Sequence, residues 1–407
     1  MSPSDSDAIV IVGGGHAAAQ LCGGLAAAGL GARVHLVCEE AEPPYQRPPL
    51  SKAYLKNPQE GLQLHRDAAA YGEAGITLHR ADPVIAIDRG GRTVGLQSGL
   101  ELAYGQLVLA TGARPRRLPH LSADLANIAS LRSAADAQRL RDLLIASTQV
   151  TVLGGGFIGL EIAAVARGLG KSVTVLESAP RLLMRSVSAE IAEHVLQTHR
   201  RAGIEIRLGV AVGTFDIVDD RLRSVHVDGL SESVDLLVLG IGSLPETELA
   251  RVAGLACENG IAVDEHMRTS DPAILAIGDC TSFPEPTSGR RLRLESVQNA
   301  NDQARAALAT LLGKPQPYRA LPWFWSDQGG LRLQIAGLLP PQASAHRRPG
   351  PTPASFSVLH YVGERLACVE SVNAPLDHIS ARKLIETGRS PAPALACDPS
   401  IALKSHA

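Results

Sequence analysis

Two stretches of the chain follow the same course of apolar and polar positions. Residues 8–39 open with the apolar run "AIVIV", pass through "GGGHAA" into an alanine-rich segment, and close with "RVHLV" just before Glu39. Residues 150–177 repeat it: "VTVL", glycines, "FIGLEIAAVARGLG", then "VTVLE" ending at Glu177. Short continuous apolar runs bounded by glycine are the pattern of strands buried on both faces of a parallel sheet. Each unit is about 30 residues long, which suits two parallel strands joined by a crossover helix. The repeat is one of architecture, with a period too long for a solenoid.

Between and after these units the chain shows strands cut short by Gly and Pro. "LVLATGARPRRLP" (107–119) and "DLLVLGIGSLPETELA" (235–250) both have this form, as places where a chain passes between domains. "ILAIGDC" (274–280) is a further apolar strand, ending in Gly278-Asp279. The last portion changes character: "LPWFWSDQGGLRLQIAG" and "FSVLHYV…RLACVESV" alternate as antiparallel strands do, and "ISARKLIETG" predicts a closing helix. The Pro-rich 338–353 reads as an exposed loop. The pattern predicts an α/β chain with two doubly wound, Rossmann-like nucleotide-binding domains, the first interrupted by the second, plus a small α+β C-terminal domain. The boundaries fall at 1–114 with 243–321, at 115–242, and at 322–407.

Composition narrows the function classes. At 407 residues, 45% hydrophobic and 20% charged, the chain has room for two or three cores of ordinary make-up. A formal charge of −2 argues against a nucleic-acid partner, which calls for clustered positive charge. No window approaches the ~18 continuous apolar residues of a spanning helix, and "MSPSDSDAIVIVGGG" has no basic region followed by an apolar run. The expectation is a soluble cytoplasmic protein with no membrane partner. Cys22, Cys38, Cys257, Cys280, Cys368 and Cys397 show no C-x-x-C and no metal spacing. They read as core residues in a reducing compartment, and no metal site is expected.

The glycine turns carry the candidate chemistry. Gly13-x-Gly15-x-x-Ala18 fits the dinucleotide fingerprint, with Gly13 for the tight turn and Gly15 for approach of a pyrophosphate to helix N–H groups. Glu39, 24 residues beyond Gly15, supplies a carboxylate for ribose hydroxyls. The second copy is stricter, Gly154-x-Gly156-x-x-Gly159, with Glu177 placed 21 residues after Gly156. A carboxylate there accepts from the 2′-hydroxyl of NAD and repels the 2′-phosphate of NADP. Arg181 and Arg185 follow at a distance and leave NADP open. Two such sites suggest a resident redox group and a visiting nicotinamide, and the loops alone do not say which is which.

From "PPYQRPPLSKAYL" (43–55) onward the sequence resembles the FAD-dependent, NADH-using ferredoxin reductases of bacterial oxygenase systems, members of the glutathione-reductase-like superfamily. The resemblance covers essentially the whole chain, through "RPPLSK", "LATGARPR", "GGGFIGLE", "GIG" (240–242), "AIGDC", "PWFWSDQ" (322–328) and "LIETG" (384–388). It implies that FAD occupies the first loop. Gly13, Gly15 and Ala17 would lie along its pyrophosphate, Glu39 on its ribose and Val84 by the adenine. Arg47, Arg132, Thr111, Gly112 and Asp279 would hold its polar parts, with Val297 and Trp325 at the flavin ring. NADH would lie along Gly154, Gly156 and Gly159, with Phe157 and Ile158 toward the nicotinamide, Glu177 on the ribose, and Gly242 and Glu295 closing over it. Lys52 and Glu161 would be the catalytic charges, paired where the two nucleotides meet, with Lys52 stabilising negative charge on the reduced flavin. His16 reads as a solvent-side residue.

The related disulfide reductases carry a cysteine pair beside the flavin, and this chain has Ser51 and Lys52 in that segment instead. A thiol or disulfide substrate is therefore not expected. The resemblance implies that electrons pass from NADH through FAD to an acidic two-iron ferredoxin serving an oxygenase or a haem monooxygenase. Arg290, Arg291 and Arg293 in "GRRLRLE" (289–295) are candidates for its docking surface. Two other readings share the motifs: an NADH-dependent rubredoxin reductase, and an NADH-sensing flavoprotein of the apoptosis-inducing type.

Overall fold

The computed structural model describes residues 7–122, 124–286 and 289–407. Residues 1–6, on which the expectation about a leader partly rests, lie outside the described residues. The chain divides into two compact units, one of residues 1–47, 61–114 and 243–320, the other of residues 48–60, 115–242 and 321–407.

The first unit is built on a five-stranded sheet in the order Ile274–Ala276, Gln106–Leu109, Ile9–Val12, Val34–Val37, Thr77–His79, every pair parallel. Four of its strands are mostly apolar and buried, as a doubly covered sheet requires, and the edge strand Thr77–His79 is not. The helices His16–Ala27 and Val297–Leu311 pack closely; a Cβ added at Gly24 would stand 2.5 Å from Leu308. An antiparallel sheet of Val84–Asp88, Thr93–Leu96 and Glu101–Ala103 belongs to the same unit.

The second unit repeats the scheme with Glu205–Leu208, Ser172–Glu177, Gln149–Leu153, Leu236–Leu239 and Ile128–Ala129, again all parallel. It also holds the C-terminal sheet, antiparallel in the order Trp323–Gln328, Leu331–Gly337, Arg365–Val372, Phe356–Val362, Ser344–Pro349, and the helix Pro375–Glu386. One hydrophobic cluster joins Leu140, Val152 and Leu160 of the nucleotide fold to Leu333, Phe356 and Val358 of that sheet.

The two compact units group the chain differently from the three domains read in the sequence. Residues 48–60 belong to the second unit, because Leu55 is buried in the Leu140–Leu160 cluster and Arg141 lies 3.9 Å above the Tyr54 ring. The C-terminal portion shares the core of the second nucleotide fold and forms one compact unit with it. Within 338–353, read as a loop, Ser344–Pro349 is a strand paired antiparallel with Phe356–Val362. It is an edge strand of "SAHRRP", and its charge and closing proline, which mask it in a hydrophobicity pattern, are what an edge tolerates.

Candidate functional site

In each parallel sheet the strand before the glycine turn, Ile9–Val12 or Gln149–Leu153, has the strand that follows it in sequence on one side and a strand from much later in the chain on the other. This is the switch point at whose carboxyl end open α/β sheets take their ligands. In the first unit Gly13 follows Val12 with φ +117°, and a Cβ on it would lie 2.3 Å from the carbonyl oxygen of Ala110, at the end of the neighbouring strand. Only glycine fits. Gly15 differs: nothing lies within 4 Å of its Cβ position, so the space is open to a ligand that approaches the backbone. It caps the helix His16–Ala27 with no side-chain hydrogen bond, leaving the N–H groups of the first turn to an anion. By contrast, Ser133, Ser188 and Ser296 cap other helices with their side chains.

Around this loop Glu39 is exposed and Val84 is buried in its strand. Pairing Val12 with Val37, and Leu153 with Leu176, makes Cys38 the counterpart of Glu177, so Glu39 stands one residue further along. Glu40, which sequence reasoning missed, accepts from the Tyr45 hydroxyl at 2.5 Å and from Arg47 at 2.7 Å. Burial opposes the Arg47 charge, but Tyr45, Glu40 and Asp279 outweigh it and hold the guanidinium above its usual value. Gln303 was also missed. It accepts from Gly278 N–H at 2.7 Å and from the Thr281 hydroxyl at 3.0 Å, which fixes the turn carrying Asp279. Val297 is the first residue of the helix that bears Gln303. The Thr111 hydroxyl donates to Glu246 O at 2.7 Å, and Gly112 has φ +74°. His16, expected on the solvent side, is half-buried, its ring 4.7 Å from that of His65, whose Nε2 is buried without a partner. An open glycine, an uncapped helix and an orphaned nitrogen beside them suit a nucleotide diphosphate.

The second unit reproduces the loop. Gly154 has φ +107° with the Gly240 carbonyl 2.4 Å from its Cβ position, and Gly159 is as close to Gly154 O. Gly156 caps the helix Phe157–Gly168 without a side-chain bond, and the only atom near its Cβ position is the Gly240 carbonyl oxygen, at an ordinary contact distance of 3.8 Å. The Glu177 carboxylate accepts from Gly155 N–H at 2.6 Å and Ala179 N–H at 2.7 Å, so it is fixed at the strand end. Arg181 donates to Val187 O and Met184 O and is committed to its own loop. Gly242 has φ +97° and stands near Arg185. The Phe157 ring packs on that of Phe324 at 4.5 Å, while Ile158 is 47% exposed.

One turn into that helix stands the cluster with the strongest chemical character. Glu161 is 3% exposed, and its Oε2 accepts from Lys52 Nζ at 2.7 Å and from the Ser51 hydroxyl. Its Oε1 accepts from the Ser326 hydroxyl at 2.6 Å. Ser326 in turn accepts from Gln328 Nε2 at 3.1 Å, and Gln328 Oε1 meets His199 Nε2 at 2.8 Å. Burial holds His199 below the ordinary imidazole value, with the Gln328 bond opposing. The expected pair is thus brought together, but Ser51, Ser326, Gln328 and His199 were missed. The alternation of Trp323–Gln328, with Ser326 and Gln328 buried two apart, was the available signal.

Trp325 lies 5.6 Å from Trp323, whose ring Arg382 covers at 4.4 Å. Arg132, Lys52 and Trp325, expected on FAD, stand in the second unit, and Glu295, expected on NADH, in the first. Glu295 accepts from Ser243 and Arg293. Arg291 donates to Ser282 and to Val263 O, so two of the three candidate docking arginines already serve the fold. All six cysteines are free, and burial raises every one of their thiols, leaving no reactive thiolate.

Among the described residues no helix is long and apolar enough to cross a membrane, and none cluster as metal ligands. Residues 7–304 match the model of the pyridine nucleotide-disulphide oxidoreductase family, and 323–407 the reductase C-terminal family. The chain is 41% identical over 399 residues to rhodocoxin reductase of Rhodococcus erythropolis, covering 97% of this chain and 93% of that one. It is similar in structure to the ferredoxin reductase of the CYP199A2 system from Rhodopseudomonas palustris, with TM-score 0.94, 42% identity and coverage of 98% and 99%. The reductase of the covalent putidaredoxin reductase–putidaredoxin complex matches at TM-score 0.93 and 39% identity over 98% of each chain. Two glycine switch points, matching family models and full-length relatives agree: the chain belongs to the pyridine nucleotide-disulphide oxidoreductase family, in the company of its ferredoxin reductases.

Proposed function

We propose that this chain is an NADH-dependent flavoprotein oxidoreductase, a ferredoxin–NAD+ reductase that passes electrons from NADH through FAD to a two-iron ferredoxin serving an oxygenase or haem monooxygenase. The observation that carries the reading is the pair of glycine loops, each closed at its tight turn and open at the glycine that caps its helix. FAD supplies the change from two-electron hydride chemistry to single-electron delivery.

The residues divide that work. Gly15 and the first helical turn hold the FAD diphosphate, with Gly13 shaping the turn, Ala17 beside it and Val84 toward the adenine. Glu39 takes the ribose, while Arg47, Thr111, Gly112, Asp279 and Val297 hold the remaining polar edges. Gly154, Gly156 and Gly159 admit the NADH diphosphate; Phe157, Ile158 and Gly242 border the coenzyme. Glu177, fixed by two backbone N–H groups, accepts from the 2′-hydroxyl and selects NADH. Lys52, held by Glu161, stabilises negative charge as hydride arrives, so no general acid or base is required. The raised cysteines support an electron acceptor other than a disulfide. The place of action we propose is the cytoplasm, where NADH is available and cysteines stay free.

The test is an anaerobic assay of the FAD-loaded chain with NADH and a two-iron ferredoxin, following loss of the ferredoxin's visible colour. The reading expects two ferredoxins reduced for each NADH consumed, and much slower turnover with NADPH. Reduction of rubredoxin with ferredoxin ignored selects the rubredoxin reading, and NADH binding with no carrier reduced selects the sensor.

A further inference from the structure

We infer that Ser326, Gln328 and His199 are positioning residues that aim the Glu161 carboxylate at Lys52, and that the charge on Glu161 sets the tautomer of His199 through them. The inference rests on the proposed role of the Lys52–Glu161 pair. It goes beyond it by assigning a role to three buried polar residues that the reaction itself does not use.

The direction of the network follows from valence. A carboxylate only accepts, and Glu161 accepts on both oxygens: Lys52 and Ser51 donate to Oε2, Ser326 to Oε1. Ser326 has a single hydroxyl proton, so having given it to Glu161 it must accept from Gln328, whose amide nitrogen lies at 3.1 Å. Gln328 then turns its carbonyl oxygen to His199, 2.8 Å away, and His199 must carry its proton on Nε2. Ser51, Glu161, Ser326, Gln328 and His199 are each at most 3% exposed, so water does not relieve a broken link. An amide in the middle of the chain does not pass protons readily, which makes this an orienting device and not a proton path. Ser326 claims Oε1, and Oε2 is left for the ammonium.

Replacing Glu161 by glutamine reverses every bond from residue 161 through Ser326 and Gln328 to His199, while Lys52 and Ser51 go on donating. Lys52 only donates, so the new amide turns its oxygen to Lys52 and Ser51 and its NH2 to Ser326. Ser326 then donates to Gln328, Gln328 presents its NH2 to His199, and the imidazole must accept on Nε2.

The experiment is nitrogen-15 NMR of the FAD-loaded chain labelled on histidine, with His199 assigned from a His199→Asn sample. The inference expects the Nε2–H tautomer in the parent and the Nδ1–H tautomer in Glu161→Gln. In a Ser326→Ala background the same change at 161 leaves His199 unmoved. An Nδ1–H parent, or one tautomer shared by the parent and Glu161→Gln, overturns it. Single-turnover reduction by NADH tests the positioning. Ser326→Ala, with its flavin bound, should be slowed about fivefold to tenfold at saturating NADH, as loss of one such bond implies, with half-saturation unchanged. An unmoved rate, or an effect confined to half-saturation, overturns the positioning role. The tautomer is read without turnover, so failure of the ferredoxin assay and failure of this inference are told apart.

Discussion

Glu161 is a buried carboxylate that gathers an ammonium, from Lys52, and two hydroxyls, from Ser51 and Ser326. Replacing it with alanine leaves an ammonium and two hydroxyls without their acceptor, at a stability cost of about 2 kcal/mol. The FAD content should be unchanged, and reduction by NADH slower by about tenfold or more. Flavin absorbance and stopped-flow rates on one preparation decide both. Glu177→Ala should lower the preference for NADH over NADPH by about tenfold. The kcat/KM ratio is the measure, because the freed Gly155 and Ala179 N–H groups weaken both coenzymes alike. A third residue outside the chemistry governs pH dependence. His378 is buried with neither ring nitrogen partnered, and burial, with Arg382 and Arg332 adding, lowers its pKa to about 4. Below pH 6.5 the unfolded chain takes up a proton that the fold refuses, so stability falls as pH drops from about 6.5 to 4, by up to about 3 kcal/mol. His378→Phe should flatten that limb in denaturant titrations across this range. At this scale the sequence was half legible. Lys52 and Glu161 lie 109 residues apart, and only resemblance, not spacing, could pair them. Glu40 announced nothing, and the alternation that put Ser326 and Gln328 on one face did not say that they bond Glu161, because a buried polar residue is assigned only once its partner is known.

At the scale of elements, the two glycine units were visible throughout, since a buried parallel strand, a glycine turn and a helix leave an unbroken local signature. The structure adds a distinction among the glycines that spacing does not make. Gly13 is required by the fold, whereas nothing in the chain crowds Gly15, where we propose that the ligand sets the requirement. Gly13→Val should therefore destabilise the protein outright, while Gly15→Val should fold and emerge colourless. Circular dichroism and flavin content separate the two outcomes; a Gly15→Val protein with full flavin would deny the first loop its role. What the pattern hid was non-local. Residues 48–60 join the second unit through Leu55 and Tyr54, and the strand Ser344–Pro349 exists only by pairing with Phe356–Val362.

For the whole molecule, the account is that one chain keeps FAD in its first loop and receives NADH in its second, with Lys52 and Glu161 serving the transfer. The charge that would receive an acidic ferredoxin is less concentrated than "GRRLRLE" suggested, because Arg291 already donates to Ser282 and Arg293 to Glu295. The most direct test is anaerobic stopped-flow mixing of the FAD-loaded chain with NADH, then with a two-iron ferredoxin. The account predicts rapid bleaching of the flavin absorbance, followed by its return as the ferredoxin is reduced. A long-lived reduced complex that no ferredoxin reoxidises would contradict it.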